Sequence, residues 1–253
     1  MNALIGHTGF VGSNLLAQRN YEHLFNSKNF RDMEGRTFST VVCAGISAVK
    51  WQANKDPQDD WNKIAALMDA LKTVASEEFI LISTIDVYAE TQGLDESFDN
   101  HGRPNHAYGT HRLQFEDFCT GHFPNCRVVR LPALFGPGLR KNILFDLMND
   151  NCLEMVNPKS SFQYYDLRNL SADLDRIREH DVRLVNLFTE PLSTQSILDA
   201  YFAEKSVGRA PAKEGHYDLY TRHAALWGKT GHYAYSAQEV MRQLGDFVNG
   251  GGR

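Results

Sequence analysis

Short apolar runs punctuate the chain at Ala3-Leu-Ile5, Thr40-Val-Val-Cys-Ala-Gly45, Phe79-Ile-Leu-Ile82, Cys126-Arg-Val-Val-Arg-Leu-Pro132 and Leu184-Val-Asn-Leu-Phe188. Runs of this length without polar alternation mark strands covered on both faces. Between them the period changes. Leu15, Leu16 and Ala17 suit a first helix packed on the sheet, and Glu22-His-Leu-Phe25 a short second strand. The polar stretch from Lys50 to Pro57 leads into a helix whose Ile64, Leu67, Met68, Leu71 and Val74 recur at helical spacing, one face against a sheet. Another helix opens at Tyr108 and runs through Phe115, Phe118 and Cys119. Strand and helix in alternation predict an α/β fold on a parallel sheet. Beyond Gly138 the alternation loosens: Asn142 to Asn149 reads as helix and Ser161-Phe-Gln-Tyr-Tyr165 as short and extended. Ser193 is placed to cap a helix with Ile197, Leu198, Tyr201 and Phe202 inward, and Ser236 with Glu239 forms a capping-box pattern for a last helix.

The first strand passes directly into Gly6-His-Thr-Gly-Phe-Val-Gly12. Glycine accepts φ > 0 and has no Cβ, so such a turn lets backbone N–H groups approach an anion at a helix N-terminus. Its place after an apolar strand and before a helix favours a dinucleotide site over a purely structural turn. Roughly 20 residues after such a motif begins, an acidic side chain normally holds the adenosine ribose. Here Asn26-Ser-Lys-Asn29 occupies that place. With Asn26, Ser27 and Lys28 instead of a carboxylate, NADP is slightly favoured over NAD; the other reading is a solvated loop. The run ending in Cys43, Ala44 and Gly45 closes on small residues, which either admit a cofactor or form a plain tight turn.

Composition narrows the classes. The chain of 253 residues suits one α/β domain, or a large domain with a small appendage. Its 26 basic and 31 acidic residues give a formal charge of −5 with no block of like charge, so no nucleic-acid partner is expected. Cys43, Cys119, Cys126 and Cys152 show neither a C-x-x-C pair nor metal-like spacing, so no metal is expected. With no secretory signal before the glycine turn, they read as free thiols in a reducing cytoplasm. No apolar run approaches the roughly 20 residues of a membrane helix, and a soluble protein is expected.

Candidate chemistry gathers at strand ends. Ser83-Thr-Ile-Asp-Val-Tyr88 follows the central apolar run, at the sheet edge where ligands bind in open parallel sheets. Tyr108 and Arg112 lie one helical turn apart on one face. A phenol titrates near pH ~10 and serves as a base near neutrality only when its phenolate is stabilised, which a cation within about 4–6 Å provides. The Thr84 hydroxyl would complete a three-point arrangement around one substrate oxygen. Taken singly, Tyr108 is as readily a packed tyrosine at a helix start, and Thr84 a backbone cap. Taken together, with the glycine turn upstream, they favour the catalytic reading.

Four stretches, in this order, resemble the extended short-chain dehydrogenase/reductases, the group of NAD-dependent epimerases, dehydratases and 4-keto reductases of nucleotide sugars. They are Gly6 to Gly12, Ser83-Thr-x-x-Val-Tyr88, Tyr108-Gly-x-x-Arg112 and Arg130-Leu-Pro-x-Leu-Phe-Gly-Pro137. The resemblance implies a Rossmann-like doubly wound parallel sheet with a small C-terminal substrate-binding lobe. The whole of residues 1–253 would form one such unit, mainly 1–138 the dinucleotide core and mainly 139–253 the lobe, with some return to the core. It implies that Gly6, Thr8, Gly9, Phe10, Val11 and Gly12 form the pyrophosphate turn, and that Leu131 and Pro132 line the nicotinamide. Tyr108 falls on the catalytic acid/base, Thr84 on its hydrogen-bonding partner, and the segment from Gly138 to Tyr165 on the sugar-nucleotide side. The function implied is an NAD(P)-dependent reductase or epimerase of a nucleotide-linked sugar, in a homodimer. The alternative is an NAD(P)-binding relative without turnover that reports to a partner protein.

The chain departs from the pattern in three ways. Arg112 stands where the family has a lysine that holds the nicotinamide ribose and lowers the tyrosine pKa. Ile85 occupies the acid position of the 4,6-dehydratases, which disfavours elimination of water, while Asp86 remains as a second acid/base or a solvated carboxylate. The length is small for an epimerase of this group, so the lobe must be small.

Overall fold

The computed structural model describes residues 1–252. Its elements begin with β1 (Asn2–Ile5), α1 (Phe10–Gln18), β2 (His23–Phe25), β3 (Thr37–Cys43), α2 (Lys50–Lys55), α3 (Pro57–Leu71) and β4 (Ala75–Thr84). They continue through α4 (Ala107–His122), β5 (Cys126–Leu131), β6 (Ala133–Phe135), α5 (Ile143–Asn149), β7 (Ser161–Phe162) and β8 (Tyr164–Asp166). The last are α6 (Leu170–Glu179), β9 (Leu184–Asn186), β10 (Leu192–Ser193), α7 (Thr194–Tyr201) and α8 (Ala237–Asn249). By contact the described residues divide into two compact units, one of residues 1–89, 98–131 and 171–185, the other of 90–97, 132–170 and 186–252.

The first unit is built on a six-stranded sheet in the order β2-β1-β3-β4-β5-β9. The pairings β1–β2, β1–β3, β3–β4 and β4–β5 are all parallel. Alternate positions divide the strands between two faces. Ala3, Ile5, Val41, Cys43, Phe79, Leu81 and Val128 form one cluster with Ile64, Leu67 and Leu71 of α3 and Phe115 and Cys119 of α4. Leu4, Val42, Ile80 and Val129 point the other way and are also buried. Burial on both faces is why β1, β3 and β4 read as apolar runs, and why the arginines of β5, Arg127 and Arg130, are paired with Glu78 and Glu116. On the remaining flank α1 and α6 are tied by an Arg19–Asp175 ion pair and by the Ser171 N–H donating to Gln18 Oε1 at 3.0 Å.

The chain leaves β1 for β2 on one side and returns to β3 on the other, which makes the β1/β3 boundary the topological switch point where such sheets bind ligands. A single strand lies beyond β1, where the usual dinucleotide order carries two. A 3₁₀ turn, Phe30–Met33, is the only regular element linking β2 to β3, and its Met33 is sunk in the core. The α/β architecture with a doubly wound parallel sheet is the one expected from the sequence.

The second unit pairs β6 with β8 in parallel and β7 with β10 antiparallel. Its core joins Phe135, Leu144, Leu147, Tyr164, Ile197, Leu198, Val240, Leu244 and Phe247. Ser193 caps α7, and Ser236 with Glu239 makes the full capping box of α8. The region expected as helix from Asn142 starts one residue later, with Asn142 as its cap.

Candidate functional site

The glycine turn is a cradle of touching backbones. Gly6 has φ +88°, and a Cβ there would lie 2.3 Å from the Ala44 carbonyl oxygen at the end of β3. A Cβ on Gly12 would lie 2.1 Å from the Gly6 oxygen, and one on Gly45 2.7 Å from Ile5 Cγ2. Gly9 is the N-cap of α1, with no side chain over the helix end and no acidic residue in the first turn. Ser13 N–H, bonding to Gly9 O at 2.8 Å, is where the helix ladder begins, so N–H groups of the first turn stay available to an anion. Thr8 and Gly9 are exposed, with Phe10 and Val11 partly so. This cradle fits a dinucleotide pyrophosphate, because close backbone approach, a bare helix end and the switch point coincide.

Beside it, the end of β2 is locked by its own asparagines. Asn26 N–H bonds Asn29 Oδ1 at 2.7 Å, and Lys28 N–H bonds Asn26 Oδ1 at 2.8 Å. His7 of the glycine turn meets the Phe25 oxygen through Nδ1 at 3.0 Å. Ser27 and Lys28 are exposed. Cys43 differs from its neighbours: its side chain is fully buried in the core, where burial pushes the thiol up to about 12, so only its backbone can border a ligand.

The second constellation forms where β4 runs into the start of α4. Thr84 accepts Asp86 N–H at 3.2 Å, and its hydroxyl lies near enough to the Tyr108 phenol to favour the ionised form. Leu131 is the register partner of Thr84 on β5, and Pro132 follows it in the chain. A Cβ on Gly109 would lie 2.1 Å from the Asp86 oxygen, so the helix start can be pressed this closely onto the turn only with glycine after Tyr108. Asn105 side-chain N–H donates to the Asp86 oxygen at 3.0 Å, and His106 caps α4 by accepting Gly109 N–H at 3.0 Å.

Arg112 is placed differently from a free cation. Its guanidinium lies 3.9 Å from the centroid of the Tyr108 ring. One nitrogen donates to Asp60 Oδ2 at 2.5 Å; the other donates to Asp60 Oδ1 at 2.9 Å and to the Ser47 carbonyl at 2.6 Å. Its buried Nε has no partner among the described residues. Burial disfavours ionisation of Asp60, but hydrogen bonds from Arg112 and His111 outweigh it and hold the carboxyl below its ordinary value. Burial pushes the Tyr108 phenol up; Arg112 opposes the rise, Asp86 adds to it, and the Thr84 hydroxyl and Lys50 oppose it.

In the sequence Lys50 stands only in a polar approach to a helix. Its Nζ donates to Asp86 Oδ1 at 2.6 Å, and His106 Nε2 stands 3.9 Å from the same oxygen. Asn54, one turn further along α2, accepts the Tyr108 N–H at 3.0 Å. The i, i+4 spacing of Lys50 and Asn54 was the available signal. Ile85, in the turn after Thr84, is buried and apolar. A cavity of about 420 Å³ further along α4, bordered by the buried Arg130–Glu116 pair, shares no residue with this constellation. Among the described residues no cluster of His, Cys, Asp and Glu suits a metal, and no helix is long and apolar enough to cross a membrane.

Solved structures share this fold at low identity. MoeE5, solved with UDP-glucose and NAD, aligns over 98% of this chain and 97% of its own at 15% identity and a TM-score of 0.73. RMD from Pseudomonas aeruginosa, solved with NADPH, aligns over 100% of both chains at 17% identity and 0.72. UDP-glucose 4-epimerase from Thermotoga maritima, solved with UDP-glucose, aligns over 99% of both at 14% identity and 0.72. No curated protein sequence matches the chain. Residues 26–179, more than half of the sequence, match the profile of one family, and the chain belongs to it: the NAD-dependent epimerase/dehydratase family.

Proposed function

We propose that the chain is an NAD(P)-dependent reductase or epimerase of a nucleotide-linked sugar, with Tyr108 exchanging the proton at the substrate oxygen. The observation that carries this reading is the guanidinium of Arg112 3.9 Å from the centroid of the Tyr108 ring, with the Thr84 hydroxyl beside the phenol at the C-terminal end of β4. The backbone of Gly6 to Gly12 would hold the pyrophosphate, and Leu131 and Pro132 would border the nicotinamide. A bound nicotinamide dinucleotide supplies or accepts the hydride. The nucleotide sugar is supported by the UDP-glucose held by MoeE5 and by the Thermotoga epimerase.

With its pKa raised, Tyr108 is protonated across the neutral range and is a ready proton donor to a carbonyl oxygen. Acting as a base, it works only through its ionised fraction, which grows as pH rises toward that raised pKa. Reduction is therefore expected to be flat near neutrality and oxidation to climb with pH. Ile85 supplies no proton, so elimination is not part of the proposal.

The test is nicotinamide absorbance with purified protein, NADPH or NADH, and a panel of 4-keto nucleotide sugars. Tyr108→Phe is expected to lower kcat at least about 100-fold with little change in KM. A second reading, a dinucleotide-binding regulator without turnover, is favoured by one observation: the Arg112 fork is already committed to Asp60 and Ser47. Calorimetric binding of the dinucleotide with no turnover of any substrate would establish that reading and end the first.

A further inference from the structure

Lys50 and Asn54 share one face of α2; Asn54 reaches the start of α4 at the Tyr108 N–H, and Lys50 reaches Asp86 in the turn after β4. Asp86 lies in the 3₁₀ turn Ile85–Val87 that follows β4, and its side chain is only 17% exposed. A carboxylate so placed opposes a second negative charge nearby, because like charges disfavour ionisation. The charged groups around Tyr108 divide into pairs. Arg112 of α4 is matched by Asp60 of α3, with His111 bonded to the same carboxylate. Glu116 and Arg130, further along α4 and β5, bond each other. Burial, and then the charge of Lys50, push His106 below its ordinary value, so at neutral pH its ring brings no charge to Asp86. Lys50 is the cation that meets Asp86.

We propose that Lys50 is a positioning residue of the acid/base site: its ammonium offsets Asp86 and keeps that carboxylate from opposing the charge Tyr108 carries when it acts as a base. Arg112 is the first cation to oppose the rise of the Tyr108 phenol, but its fork is fixed to Asp60 and the Ser47 carbonyl, so the carboxylate of Asp86 is left to Lys50 of α2. The inference rests on the acid/base reading of Tyr108.

The decisive measurement is the titration of Tyr108 in dinucleotide-free protein, followed by NMR of tyrosine labelled at the ring carbon bearing oxygen and assigned with Tyr108→Phe. Lys50→Met is expected to move the Tyr108 titration to higher pH, and Lys50→Arg to restore it. Adding Asp86→Asn to Lys50→Met should bring it to or below the wild-type position, since the charge needing compensation is gone. Lys55→Met, on the same helix, should leave it unmoved. In turnover, Lys50→Met should shift the rising limb of the oxidation profile to higher pH and lower kcat near pH ~7 by about threefold to tenfold, with KM nearly constant. Lys50→Gln carries the same expectation should the methionine variant unfold. A Tyr108 titration unchanged in Lys50→Met, or equally raised in the double variant, overturns the inference and leaves the acid/base reading intact. Full turnover in Tyr108→Phe defeats the acid/base reading by itself.

Discussion

Arg112 is 4% exposed and bonded along both terminal nitrogens, so its chemistry is that of a clamp between α4, α3 and the loop after β3. A lysine there keeps the charge but offers a single ammonium in place of a planar fork. Arg112→Lys is expected to destabilise the fold by about 2 kcal/mol, less than the roughly 3–5 kcal/mol of removing one member of a buried pair outright. Thermal unfolding measures it, and an unchanged midpoint would refute the clamp. The sequence displayed Tyr108 and Arg112 because helical spacing alone makes them neighbours. It hid what Arg112 touches and the presence of Lys50, since Asp60, Ser47 and Asp86 meet them only after α2 and α3 pack on α4. Local geometry is written in spacing, whereas charge pairing between elements is a product of packing.

At the scale of elements, the turn from β1 to α1 separates two roles among its glycines. Gly12→Ala places a Cβ 2.1 Å from backbone that cannot yield, whereas at Gly9 the nearest atom is the Gly6 oxygen at 3.3 Å. Gly12→Ala is expected to cost about 1–3 kcal/mol of stability and to abolish dinucleotide binding. Gly9→Ala should fold with a midpoint near wild type and lose only affinity, as calorimetry beside thermal unfolding would report. Strands and capped helices were readable because each carries its own signal: apolar runs for β3 and β4, a Val-Val core for β5, and Ser236 with Glu239 for α8. Helix α6 went unread, although Leu170, Leu174 and Ile177 are all buried and stand at helical spacing. The polar residues between them, Asp173 and Arg176 among them, hid a stripe that packing makes plain.

The whole sheet stops one strand beyond β1, which leaves the Asn26–Asn29 loop at an open edge with Lys28 exposed and no carboxylate within it. NADPH is therefore expected to bind more tightly than NADH, by less than about tenfold, or 1.4 kcal/mol, with Lys28→Glu reversing the order. Calorimetry with both dinucleotides decides it, and equal affinities in the wild type would remove the loop from the choice of cofactor. The same sheet is assembled from three separate stretches of chain, and its last neighbour, β9, joins β5 only through residues 171–185. On a ribosome, β5 emerges first and waits as an unpaired edge, the kind of strand that invites wrong partners, while residues 132–183 are still being made. Closure over so long a stretch slows folding. Between the synthesis of β5 and of β9, the newborn chain carries an open hydrogen-bonding edge for a chaperone to guard or another chain to capture.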